Sequence, residues 1–122
     1  MCTGVRFADA AGNLYFGRNL DWCESYGEGV VITPRGASIP TQFLGSLSPE
    51  HACVGMGIVV GGVPCYFDCA NEAGLAIAGL NFPGYAQFAE DPEKGAVNVA
   101  AYEFPLWVAA SFSTVAEVRK AL

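Results

Sequence analysis

Residues 52–84 read ACVGMGIVVGGVPCYFDCANEAGLAIAGLNFPG. Three β-prone runs follow one another here, ACVGMGIVVGG, PCYFDCANEAG and LAIAGLNFPG. Short turns at Gly61-Gly62 and Glu72-Ala73-Gly74 separate them, which suits an antiparallel meander. The longest apolar run, Val54 to Pro64, is interrupted by glycine and reads as buried strand rather than a membrane span. Gly55, Gly57, Gly61 and Gly62 match no phosphate-cradling pattern, so they are assigned to packing.

Upstream, CTGVRFAD and LYFGRNLDW flank AAGN, predicting a hairpin with Gly12-Asn13 in its turn. GVVITPRG reads as a short strand stopped by Pro34, and IPTQFLGSLSPE as loop. Downstream, AEDPEKGA (89–96) is the most polar stretch and is expected to be exposed. YEFPLWVAASF places Pro105 in a first helical turn. STVAEVRKAL begins a second helix, with capping-box spacing between Thr114 and Glu117 and one apolar face of Val115, Val118 and Leu122. That helix meets no glycine cap or polar tail, so the chain is expected to continue in a longer relative.

Composition narrows the function. The 122 residues make one domain at most, 1–122. They are 52% hydrophobic and only 15% charged, which argues against disorder. Twelve acids against six bases give a net charge of −6, disfavouring nucleic acid and anionic membrane surfaces as partners. No signal-peptide pattern and no transmembrane run are read, so a cytoplasmic location is expected. The five cysteines, Cys2, Cys23, Cys53, Cys65 and Cys69, suit a reducing compartment. No CxxC pair occurs and His51 is the only histidine, so neither a metal site nor a cofactor is expected. Cys53, Cys65 and Cys69 read as small buried hydrophobes.

Cys2 is different in kind. Removal of Met1 would leave an N-terminal cysteine, whose α-amine has an unperturbed pKa of roughly 7.7–8.0. One residue would then supply a thiol nucleophile and its base, with no catalytic histidine. If the first two strands pair, Arg18 comes close to Cys2 and favours its thiolate, while Asp21 is placed to hydrogen-bond the amine. Taken singly, Cys2 reads rather as a small strand residue, and Arg18 with Asp21 as a surface ion pair; only the combination favours chemistry.

The motifs MCTGVRF, GRNLDW, PRG, YFDCANEAGLAIAGLNFPGY and EFPLWVA occur together in this order. In that combination the whole chain resembles the N-terminal part of the bile salt hydrolases, or choloylglycine hydrolases. These are N-terminal nucleophile (Ntn) hydrolases related to penicillin V acylases. The resemblance implies an α+β fold: part of an αββα sandwich of antiparallel sheets, incomplete in this chain. It implies hydrolysis of the amide bond in glycine- or taurine-conjugated bile salts, through a thioester on Cys2. It gives Arg18 a place beside the thiol, has Asp21 orient the amine, and makes Asn81 an oxyanion-hole residue acting through its backbone N–H. Asn81 taken alone reads equally as a turn residue before Phe82-Pro83-Gly84. Penicillin V acylases tend to carry tyrosine at the Asn81 position. Trp22, Tyr26, Met56, Ile58 and Val60 become candidates for the wall of an apolar substrate pocket, with core packing the other reading of Ile58 and Val60. The family is often tetrameric, which makes a homo-oligomer an expected partner state. Its members run well over twice this length, and their later part supplies a second oxyanion asparagine and a further arginine. The alternatives are a penicillin V acylase-like amidase and a truncated, non-catalytic homologue.

Overall fold

The computed structural model describes residues 2–122, so the removal of Met1 lies outside the described residues. The first hairpin forms where the sequence places it. Strand β1 (Thr3–Ala8) pairs antiparallel with β2 (Leu14–Asn19), in register Thr3↔Asn19 and Ala8↔Leu14. The connecting loop is organised by the Asp9 carboxylate, which accepts from the backbone N–H groups of Ala11 and Asn13, both at 2.9 Å. Gly12 supplies the left-handed residue, with φ +85°.

The central sheet has four strands in the order β3-β6-β7-β8: β3 (Gly29–Thr33), β6 (Cys53–Val60), β7 (Val63–Asn71) and β8 (Ala76–Ala78). All its pairings are antiparallel, so the expected meander of β6, β7 and β8 is present. Gly61 and Gly62, both at positive φ, form the two-residue turn between β6 and β7. Gly55 and Gly57 do pack. A Cβ on Gly55 would lie 2.0 Å from the Asp68 carbonyl oxygen, and one on Gly57 2.4 Å from that of Cys65.

Strand β7 carries an irregularity. Met56 faces Asp68 while Gly57 faces Tyr66, which leaves Phe67 as an extra residue in β7. Without it, strict alternation would put Tyr66 and Cys69 on opposite faces. With it, both are buried in one core cluster with Leu106, Ala109 and Ala110.

Those last three residues belong to α1 (Phe104–Ser111), which lies on β7 and takes Pro105 in its first turn. The join is polar as well as apolar. Buried Asn71 donates from Nδ2 to the carbonyls of Ala109 (2.8 Å) and Phe112 (2.7 Å). Its Oδ1 accepts from the N–H groups of Ala73 (3.1 Å) and Leu75 (3.0 Å). One side chain thereby satisfies carbonyls at the end of α1 and fixes the turn after β7. Helix α2 (Val115–Ala121) starts on the anticipated capping box of Thr114 and Glu117. Only one of the three residues of its proposed apolar face is packed: Val118 touches the core, while Val115 and Leu122 are exposed.

Two further readings are corrected. IPTQFLGSLSPE is not loop throughout, since β4 (Ile39–Thr41) and β5 (Gly45–Leu47) form a small hairpin. The run Val54 to Val60 is not uniformly buried. The central sheet is covered by α1 on one face, and on the other Val30, Ile32, Val54 and Met56 are exposed neighbours across β3 and β6. The polar stretch 89–96 is exposed as expected. Among the described residues, no helix is long and apolar enough to cross a membrane.

Candidate active site

Cys2 stands immediately before β1, and the β1–β2 register sets Arg18 opposite Gly4. The chain after β2 passes Cys2 closely enough for the Asp21 backbone N–H to reach its sulfur. The chain after β8 does the same from the other side with the Asn81 N–H. These two amides hold the Cys2 thiol below its ordinary pKa; the Arg18 charge adds to them, and partial burial opposes them. Cys2, Arg18 and Asn81 line one cavity of ≈ 310 Å³. Larger cavities of ≈ 600, ≈ 570 and ≈ 340 Å³ contain none of the candidate site residues named from the sequence.

The buried cysteines behave oppositely. Burial pushes Cys53 up to about 11 and Cys69 up to about 12. Iodoacetamide alkylation followed across pH should therefore give Cys2 a midpoint below that of a free cysteine. At neutral pH it should leave Cys53 and Cys69 unlabelled. Peptide mass mapping reads both. A Cys2 midpoint at or above the free-cysteine value would contradict the geometry.

Arg18 is nearly inaccessible, its side chain 5% exposed. Nη2 donates to the Gly79 carbonyl at 2.7 Å and, at 3.4 Å, to that of Phe67. Nε lies 3.5 Å from Asp68 Oδ2. Gly79 is available because β8 ends at Ala78, shorter than the strand expected over 75–84.

Trp22 and Tyr26 line the same cavity and stack on each other with ring centroids 6.2 Å apart. Tyr26 leans in turn on Phe67, 5.8 Å away. The other wall candidates, Met56, Ile58 and Val60, do not reach this cavity. They sit on β6, and β7 stands between β6 and β8, whose end carries Gly79 to Asn81. Sequence reading also missed Leu20, Tyr66, Phe67, Leu80, Ala101 and Pro105 as lining residues. Leu20 and Leu80 flank named site residues, a signal that was there to use. Phe67 and Pro105 arrive through tertiary packing alone. No cluster of three or more His, Cys, Asp or Glu able to hold a metal occurs among the described residues.

The family model for linear amide C–N hydrolases, choloylglycine hydrolase family, matches residues 2–122. The chain belongs to the choloylglycine hydrolase family. It is 59% identical to a bile salt hydrolase/transferase of Bifidobacterium longum subsp. longum, over 100% of this chain and 39% of that protein. It is 57% identical to a conjugated bile acid hydrolase of Lactobacillus gasseri, with the same coverage. The chain thus spans 39% of the length of each of these two curated relatives. The crystal structure of the C2A mutant of conjugated bile acid hydrolase from Clostridium perfringens superposes with a TM-score of 0.94 at 36% identity. That match covers 100% of this chain and 37% of the other. The α+β fold with antiparallel sheets is therefore that of the matching part of a conjugated bile acid hydrolase.

Proposed function

We propose that this chain carries the nucleophile side of a site that hydrolyses glycine- or taurine-conjugated bile salts, as the N-terminal part of one Ntn-hydrolase domain. After removal of Met1, the Cys2 thiolate attacks the amide carbonyl and the carbonyl oxygen becomes an oxyanion. The Asn81 N–H stabilises that oxyanion, and Arg18 favours the thiolate before attack. The α-amine of Cys2, oriented by Asp21, takes the thiol proton and gives it to the departing glycine or taurine. Water then cleaves the thioester and releases the bile acid. Trp22 and Tyr26 offer an aromatic wall to the apolar half of the substrate.

The observation that carries this reading is the convergence on Cys2 of two backbone N–H groups and one buried guanidinium, in an aromatic-walled cavity. Similarity to a bile salt hydrolase/transferase and a conjugated bile acid hydrolase favours bile salts over penicillin V. Side-by-side assays decide between them. Release of glycine or taurine from conjugated bile salts should exceed cleavage of penicillin V under the same conditions. The reverse ratio would make the protein an acylase of the penicillin V type, and inactivity towards both would support a non-catalytic homologue.

A further inference from the structure

We propose that Asp68 is a positioning residue, which holds the Arg18 guanidinium in the orientation that serves Cys2. The inference rests on the pairing of Arg18 with Cys2 in the proposed function. Asp68 is absent from the cavity wall that Cys2, Arg18 and Asn81 share, whereas Arg18 both lines that wall and pairs with Asp68.

A buried guanidinium is unfavourable unless its charge and its N–H groups find partners. Arg18 finds them on one side only. Nη2 is committed to the carbonyls of Gly79 and Phe67, and Nε faces the Asp68 carboxylate at 3.5 Å. Nε and Nη1 are both buried without a hydrogen-bond partner, so Asp68 meets Nε as an ion pair rather than a hydrogen bond. Two carbonyls hold Nη2 and the Asp68 charge draws the Nε side, within a residue that lines the cavity.

The Asp68 carboxylate is itself poorly exposed, at 22%. It owes its place to the irregularity in β7. The extra residue, Phe67, brings its own carbonyl and the adjacent Asp68 carboxylate to the same guanidinium. Asp68 also gives Arg18 a countercharge, so the cation can stay buried beside the thiol without a second carboxylate entering the cavity.

The test is a double-mutant cycle read on Cys2 alone. The second-order rate constant for iodoacetamide alkylation of Cys2 at pH 7 is measured by peptide mass mapping, which separates it from Cys23. Four proteins are compared: the parent, Asp68→Ala, Arg18→Met, and the double variant. Asp68→Ala should slow alkylation about tenfold, the loss of one pKa unit of thiolate. The slowing should vanish in the Arg18→Met background. Asp68→Asn keeps an acceptor oxygen but not the charge, and should fall between parent and Asp68→Ala; it carries the same cycle if Asp68→Ala does not fold. Equal slowing in both Arg18 backgrounds would make Asp68 a structural residue only and overturn the proposal. So would no slowing at all. Alkylation needs no bile salt, so failure to hydrolyse conjugates would sink the proposed function while leaving this cycle readable.

Discussion

Cys2→Ala should abolish release of glycine or taurine from conjugated bile salts, a loss on the order of 10⁶-fold if nucleophile removal acts here as it does in other covalent hydrolases. The magnitude follows from what the substitution deletes. Alanine removes the atom that forms the thioester, and no neighbouring group replaces it. The cavity, the Asp21 and Asn81 amides and the Arg18 guanidinium stay in place. They retain at most the modest effect of binding and oxyanion stabilisation without a nucleophile. Cys2 is only partly buried, so alanine should leave the melting temperature nearly unchanged. Activity and melting measured on one preparation therefore separate chemistry from folding. Release that persists within tenfold of the parent would remove Cys2 from the mechanism.

The second large effect is on stability. Asn71→Ala should cost about 4 kcal/mol, well above the usual range for a point substitution. Four hydrogen bonds disappear together. Two are received by carbonyls at the end of α1, which lose a buried donor without gaining water. The other two come from the N–H groups of Ala73 and Leu75, in the turn that returns the chain to β8. Asn71→Asp isolates the two halves of the hub. It keeps an acceptor for the turn, but replaces the donor with a carboxylate facing two carbonyl oxygens. It should also be strongly destabilised. Urea unfolding midpoints at constant m-value give the comparison. A cost below about 1 kcal/mol for Asn71→Ala would mean that α1 is held by its apolar contacts alone.

Local signals explain what could be read from the chain. The β1–β2 hairpin, the Gly61-Gly62 turn and the Thr114–Glu117 capping box are each set by residues within a few positions of one another. The β4–β5 hairpin was missed for the same reason. Its strands, IPT and GSL, have three residues each and include a proline and a glycine, so they carry too little pattern. At the site, Arg18 and Cys2 could be brought together because hairpin pairing alone does it. Trp22 and Tyr26 could be placed because they follow Asp21 directly. Met56, Ile58 and Val60 lie outside the Cys2 cavity, because membership of that cavity depends on strand order. The sheet sets β7 between them and the loop that carries Asn81. Asn71 and Asp68 gave no sign of their partners, which lie 38 or more residues away for the α1 contact and on another sheet for Arg18.

The unpaired Phe67 divides β7 into two lengths that answer to different demands. Residues beyond it hold α1 through Cys69 and Asn71; residue 67 and its neighbour present groups to Arg18. A one-residue deletion there would not merely shorten the strand. It would turn Cys69 and Asn71 away from α1 and withdraw the carbonyl and carboxylate from Arg18 in the same stroke. Engineers who reshape the pocket can vary side chains at this point, but the count of residues between Tyr66 and Cys69 is a fixed dimension of the molecule.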